Sequence, residues 1–150
     1  MPNSIGRILF AEDNPHDIEM TLETFSEHHI ANEIVVVSDG AEALDYLHAR
    51  GKFAGRPGGN PILALLDLKM PKVDGLEVLR VIKQEEQFRS IPVVMLTSSR
   101  EEQDLVRSYQ LGVNAYIVKP VAVPAFVEAI KNLGVFWAIH NAVPRPSASA

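Results

Sequence analysis

Residues 62 to 71 read ILALLDLKMP, five apolar residues followed by Asp67 and then Leu-Lys-Met-Pro. A strand that is buried on both faces of a parallel sheet has such a continuous apolar run, and an ionisable side chain in its middle would be costly. Asp67 is therefore predicted to lie where this strand leaves the sheet. In open parallel α/β sheets that edge is where ligands bind.

Three other apolar runs also end in polar side chains. Arg7–Ala11 is followed by Glu12 and Asp13, Val93–Leu96 by Thr97, and Tyr116–Val118 by Lys119. The carboxyl ends of parallel strands share one edge of a sheet, so these side chains are predicted to meet Asp67 there.

Strand patterns and helix patterns alternate along the chain. Glu33–Val37 is rich in β-branched residues and is predicted to be a further strand. The predicted helix starts are Asn14 with Pro15, Asp39 with Glu42, Asp74 with Glu77, Ser98 or Ser99, and the region near Pro124; the fourth and fifth helices are predicted to end at Gly112 and Gly134. Regular alternation with short connections predicts an α/β domain with parallel strands and right-handed crossovers.

Length and composition narrow the class of protein. A chain of 150 residues suits one domain, and a formal charge of −5 argues against a broad electrostatic grip on nucleic acid. There is no cysteine, which excludes cysteine-ligated zinc and fits a reducing, cytoplasmic location. No apolar run approaches the roughly 18 residues of a membrane span, and Met1 to Phe10 lack a signal-peptide pattern. We therefore expect no nucleic-acid partner and no membrane partner.

Two segments depart from the strand–helix rhythm. Gly51 to Pro61 is rich in glycine and proline and is predicted to be a loop. Residues 1–134 are predicted to form the domain, and residues 135–150 a C-terminal extension. Its apolar residues, among them Phe136 and Trp137, predict an arm that forms a homodimer and buries Trp137 at the interface. The alternative is that the arm folds back over the last helix or the loop. Pro144 to Ala150 is predicted to be disordered.

The side chains at the carboxyl edge of the predicted sheet suit the transfer of a phosphoryl group. Crowded carboxylates repel one another unless a cation enters, and ligands that are all oxygens favour Mg²⁺. A carboxylate beside such a metal can attack a phosphoryl group, while Lys119 and Thr97 bind the phosphoryl oxygens. Taken singly, Glu12 and Asp13 suit an acidic turn that caps a helix, and Lys119 suits a solvated loop.

The combined pattern resembles the receiver domain of two-component response regulators. The matching residues are Glu12, Asp13, Asp67, Met70, Pro71, Asp74, Gly75, Thr97, Tyr116, Lys119 and Pro120, and the match runs from Arg7 to Leu133. The resemblance implies a flavodoxin-like, doubly wound parallel sheet with strand order 2-1-3-4-5.

The resemblance also implies a role for each site residue. Asp67 would accept a phosphoryl group from a histidine of a sensor kinase. Asp13, Asp67 and the main-chain carbonyl of Lys69 would bind Mg²⁺, with Glu12 acting through water. Thr97 and Tyr116 would form the switch pair, and Lys119 would bind phosphate. For Tyr116 the alternative is an ordinary core aromatic.

A narrower resemblance concerns the segment Ala11 to Asp17, the predicted loop and the Phe136-Trp137 pair. These features are similar to the stand-alone regulators that pair with bacterial phytochrome kinases. The resemblance implies such a kinase as partner. Because little chain follows Leu133, we expect no output domain and an output through protein contact.

Some residues depart from the family pattern, and other functions remain to be weighed. Lys69 could place its ammonium near the phosphoryl group. Ser98 stands where the family often has alanine or glycine, and it slightly narrows access to Asp67. A hydrolase of the haloacid dehalogenase type would need a second aspartate where Lys69 stands. A flavin or nucleotide binder would meet repulsion from Glu12 and Asp13. A degenerate receiver would work without phosphate.

Overall fold

The computed structural model describes residues 6–113 and 115–139. Within them a parallel sheet of five strands has the order β2-β1-β3-β4-β5, as predicted. The strands are β1 (Ile8–Ala11), β2 (Ile34–Val37), β3 (Leu63–Asp67), β4 (Val93–Thr97) and β5 (Ala115–Val118). The helices are α1 (Pro15–Glu27), α2 (Gly40–His48), α3 (Gly75–Gln84), α4 (Arg100–Ser108) and α5 (Val123–Asn132).

The sheet is buried on both faces, which explains its continuous apolar runs. In β1, Ile8 and Phe10 pack with residues of α1 and α5, whereas Leu9 and Ala11 pack with residues of α2 and α3. All four are fully buried. A central strand of this kind needs apolar side chains in both directions, so a polar group has a place only at its end.

Side-chain caps start the first four helices at the predicted residues. Asn14 accepts from the main-chain N–H groups of His16 and Asp17, and its own N–H donates to Glu12. Asp39, Asp74 and Ser99 each accept from the main-chain N–H three residues later. Of the two serines predicted to cap α4, the structure selects Ser99. These caps satisfy N–H groups that a helix start leaves unpaired.

Two helix ends differ from the sequence-based prediction. Helix α4 ends at Ser108 rather than at Gly112, and α5 ends at Asn132 rather than at Gly134. Both glycines have positive φ, +82° and +75°, and therefore belong to the turns that follow the helices. The predicted loop contains a single 3₁₀ turn, Gly51–Phe53.

The start of the C-terminal extension packs on its own domain. Residues 136–138 form a 3₁₀ turn, and Val135 and Ile139 contact the core cluster of α1 and α5. Asn32 donates to the main-chain oxygen of Ala138 at 3.1 Å. For Val135 and Ile139 this packing agrees with the alternative that the arm folds back over the last helix. Phe136 remains 49% exposed.

Other predictions for the C-terminus lie outside the described residues. These include the Trp137 side chain and residues 140–150. Among the described residues, no helix is long and apolar enough to cross a membrane.

Candidate functional site

The carboxyl edge of the sheet gathers the polar side chains that end the apolar runs. Asp67 is the last residue of β3 and Thr97 the last of β4, while Glu12 and Lys119 directly follow β1 and β5. The parallel register aligns Asp67 with Leu96, one residue before Thr97. Four strand ends thus bring these groups to one place.

Three carboxylates form a cluster that suits a divalent cation. One oxygen from each of Glu12, Asp13 and Asp67 lies within 4.8 Å of the other two. Glu12 and Asp67 are buried, with 1% and 4% of their surface exposed, whereas Asp13 faces solvent. Oxygen ligands with one side open to water fit a hard ion that keeps part of its hydration.

Lys119 is the cation that the structure places among these carboxylates. Its ammonium lies 2.8 Å from Asp67, 3.1 Å from Glu12 and 2.9 Å from Asp17. One ammonium among four carboxylates leaves the edge strongly acidic, so a further cation would be stabilised there.

The protonation equilibria of these groups reflect burial and charge together. Burial raises the pKa of Asp67, and the neighbouring Asp13 and Asp17 add to the rise against the opposing effect of Lys119. Burial and the charge of Asp67 raise the pKa of Glu12. Burial alone would lower the pKa of Lys119, but hydrogen bonds to Asp67 and Asp17 and the surrounding negative charge outweigh it and raise that pKa.

The Thr97 hydroxyl is buried, and no described residue forms a hydrogen bond with it. Thr97 is 0% exposed, and its Oγ1 is the buried side-chain polar atom that lacks a partner within the described part of the chain. Its main-chain oxygen accepts from the Lys119 N–H at 2.7 Å. A buried hydroxyl left unpaired costs about 1–3 kcal/mol. An acceptor arriving beside Asp67 would remove that cost.

Lys69 directs its ammonium to α4. It lies 3.0 Å from Glu102, and the Lys69 side chain is 78% exposed. Glu102 also accepts from the N–H and the hydroxyl of Ser98. Burial alone would raise the pKa of Glu102, but the hydrogen bonds from Ser98 and Lys69 lower it.

Tyr116 lies on the surface formed by α4, β5 and α5. Its ring is half-buried, and the guanidinium carbon of Arg107 is 4.7 Å from the ring centroid. A cavity of roughly 260 Å³ between α4 and α5 adjoins the ring. Burial raises the pKa of the Tyr116 hydroxyl, and the charge of Arg107 opposes the rise.

Gly75 lets α3 begin directly beneath the Asp67 main chain. A Cβ at this position would lie 2.2 Å from the Asp67 carbonyl oxygen, and the Gly75 N–H donates to the Leu68 oxygen at 2.8 Å. A side chain at position 75 would therefore displace the end of β3.

Most of the chain matches a known family. Residues 8–131 match the family described as "Response regulator receiver domain". The chain belongs to this receiver family. The resemblance stated from the sequence is thereby confirmed.

Several known receivers are similar to this chain over most of its length. The response regulator Rcp1 of Synechocystis is 37% identical over 130 residues, which is 87% of each chain. The structure of the bacteriophytochrome response regulator AtBRR has a TM-score of 0.88 and 60% identity, covering 92% of this chain and 99% of that one.

Two further solved structures are of metal-bound or phosphorylated receivers. The Mn²⁺-bound form of Rcp1 has a TM-score of 0.70 and 35% identity, covering 93% of this chain and 99% of that one. The phosphorylated cyanobacterial phytochrome response regulator RcpA has a TM-score of 0.71 and 39% identity, covering 89% of this chain and 94% of that one.

Two residues of this receiver's site were missed from sequence. Asp17 pairs with Lys119, and Glu102 pairs with Lys69. Each lies in the first turn of a helix that follows a strand end, so the cap residues Asn14 and Ser99 were the available signal. Acidic residues in a first turn are common for the helix dipole alone, and so the pattern did not single them out.

Proposed function

We propose that this receiver accepts a phosphoryl group on Asp67 from a histidine of a sensor kinase. The observation that carries the proposal is the buried Asp67 carboxylate, 2.8 Å from the Lys119 ammonium and clustered with Glu12 and Asp13. An Asp67 oxygen forms the new P–O bond. The kinase imidazole leaves with the electron pair of the P–N bond, and the product is an acyl phosphate.

The carboxylate cluster would hold Mg²⁺. Glu12, Asp13 and Asp67 supply oxygens, with Glu12 acting through water and the Lys69 main-chain carbonyl as a further ligand. The all-oxygen ligand set and the Mn²⁺-bound form of Rcp1 support a hard divalent ion. When bound, Mg²⁺ supplies positive charge that offsets the charge of the phosphoryl oxygens.

Lys119 and Thr97 would bind the transferred group. The Lys119 ammonium already lies at hydrogen-bond distance from Asp67 and would pair with a phosphoryl oxygen. The Thr97 hydroxyl would donate to another phosphoryl oxygen and gain the partner that it lacks.

Tyr116 would carry the change to a remote surface. When Thr97 turns toward the phosphoryl group it vacates space, and the Tyr116 ring would rotate inward to fill it. This movement would reshape the surface of α4, β5 and α5, where Arg107 now covers the ring. The output is then a contact with another protein.

The proposed partners follow from the relatives. AtBRR and RcpA are phytochrome response regulators by description, and so we propose a bacterial phytochrome as the kinase and a cytoplasmic location for the pair. We also propose a homodimer through the C-terminal extension, supported by the half-exposed Phe136. On this proposal the protein is a phosphoacceptor with self-catalysed transfer and dephosphorylation, rather than an enzyme that turns over a separate substrate.

Acetyl phosphate with Mg²⁺, followed by intact mass spectrometry, tests the proposed function. We expect one added phosphoryl group in the wild type and none in Asp67→Asn, because the amide is not a nucleophile. Asp104→Asn, an exposed position on α4, is the matched control and should label fully. Rapid release of phosphate over many turnovers would instead indicate a hydrolase, and an unlabelled wild type would contradict the proposal.

A further inference from the structure

Glu102 joins two loops that border the candidate phosphoryl site. Its Oε1 accepts from the Ser98 N–H at 2.8 Å and from the Ser98 hydroxyl at 2.9 Å, and its Oε2 lies 3.0 Å from the Lys69 ammonium. Ser98 directly follows Thr97, and Lys69 lies two residues after Asp67. We call Ser98, Glu102 and Lys69 the α4 clasp.

The α4 clasp restrains the chain beside Thr97. Because both polar groups of Ser98 are bonded to one carboxylate, the chain after Thr97 cannot shift without breaking two charge-assisted hydrogen bonds. The Thr97 hydroxyl meanwhile remains buried and has no partner among the described residues. The polar groups of the clasp therefore have partners in an arrangement in which, among the described residues, the Thr97 hydroxyl has none.

We propose that Glu102 is a positioning residue that holds Thr97 in its resting place and keeps the Lys69 ammonium away from Asp67. The proposal rests on the proposed function, since it concerns how fast Asp67 takes up a phosphoryl group. On this proposal the chain at Ser98 moves when Thr97 turns toward a phosphoryl oxygen, and the clasp opens during phosphorylation. Weakening the clasp therefore speeds phosphoryl uptake.

The chain offers a matched control for this clasp on another helix. Glu42 of α2 accepts from the N–H and hydroxyl of Ser38, at 2.8 and 3.3 Å, and pairs with Lys52. This second clasp follows β2, an edge strand that is separated from β3 by β1. It has the same chemistry without bordering Asp67 or Thr97.

Time courses of phosphorylation by acetyl phosphate and Mg²⁺, read by intact mass on the full chain, test the proposal. Glu102→Ala should take up the phosphoryl group several-fold faster than the wild type. Glu102→Gln should lie between them, because the amide oxygen still accepts from Ser98 but carries no charge. Lys69→Ala should have a smaller effect, since the Lys69 side chain is 78% exposed and water screens its charge. Glu42→Ala should lower the thermal midpoint about as much as Glu102→Ala does, but it should take up the phosphoryl group at the wild-type rate.

Three results would overturn the proposal. They are an unchanged or slower rate in Glu102→Ala, a Glu102→Gln rate outside the interval between wild type and Glu102→Ala, and an equal gain in Glu42→Ala, which would link the rate to stability alone. If Glu102→Ala does not fold, Glu102→Gln and Ser98→Ala must show the faster uptake. An unlabelled wild type would instead refute the proposed function itself.

Discussion

At the scale of single residues, two groups of the site stand out: the Lys119 ammonium, which pairs with several carboxylates, and the Thr97 hydroxyl, which is buried. Lys119 pairs with Asp67, Glu12 and Asp17 at once, while the Thr97 hydroxyl has no acceptor in the part of the chain that the structure describes. The site therefore has more negative than positive charge, and it has a hydroxyl donor that could take a new ligand as its partner. A dianionic phosphoryl group bound with a divalent cation would supply both the positive charge and the acceptor.

Replacing Thr97 with valine tests the unpaired hydroxyl. Thr97→Val keeps the shape and removes a buried donor that has no partner, so the free energy of unfolding should rise by about 1 kcal/mol. The control is Thr24→Val, which removes a hydroxyl that donates to the main-chain oxygens of Met20 and Val121 and should lower stability. Urea denaturation measures both. Equal losses in the two variants would show that Thr97 has a partner in solution.

Metal binding should stabilise the protein through the carboxylate cluster. With a dissociation constant of about 1 mM, about 20 mM Mg²⁺ adds about 1.8 kcal/mol to the free energy of unfolding by mass action. Asp13→Asn should reduce this gain, whereas Asp104→Asn should preserve it. Denaturation curves with and without Mg²⁺ give the values. A gain that Asp13→Asn leaves intact would place the metal elsewhere.

At the scale of elements, the sequence predicted the strands and helix starts well. Buried parallel strands need unbroken apolar runs, and Asn14, Asp39 and Asp74 cap helices as expected. Helix ends were less predictable: α4 stops at Ser108, although the glycine that was predicted to end it is Gly112. Leu105 and Tyr109 are about half exposed, so their apolar surface does little to fix where α4 ends.

The close approach of α3 to β3 depends on Gly75, which has no side chain. By helix propensity alone, Gly75→Ala would stabilise α3 by up to about 1 kcal/mol. The contact of the added Cβ with the Asp67 carbonyl should reverse the sign and cost about 1–3 kcal/mol. Gly55→Ala meets no atom within 4 Å and is the control. A Gly75→Ala protein with raised thermal midpoint would mean that α3 shifts freely.

At the scale of the whole molecule, four strand ends explain why the clustering of the site residues was predictable, whereas the packing of the chain after α5 was not. Glu12, Asp67, Thr97 and Lys119 each follow an apolar run, so the sheet order alone brings them together. The packing of Val135 and Ile139 on the α1 and α5 core has no such local signal. It depends on where the chain leaves α5 and on Asn32, which lies more than a hundred residues earlier.

The proposed homodimer has a sharper test than removal of the whole extension. Truncation after Gly134 would also remove Val135 and Ile139 from the core and confuse folding with assembly. Phe136→Ser changes a half-exposed ring and should weaken self-association while preserving the fold. Leu105→Ser, at an exposed position of α4, is the control. Sedimentation that finds the wild type monomeric, or the Phe136→Ser dimer unweakened, would contradict an interface through this residue.

The central claim is that Asp67 itself carries the phosphoryl group, and the most direct test locates the modified residue. After phosphorylation, borohydride reduces the acyl phosphate carbon to an alcohol and releases phosphate, so the acceptor aspartate becomes homoserine. Tandem mass spectrometry of the digested protein should find homoserine at position 67 in the phosphorylated sample and aspartate there in the untreated one. Homoserine at position 13, or an unreduced Asp67 in fully labelled protein, would contradict the claim.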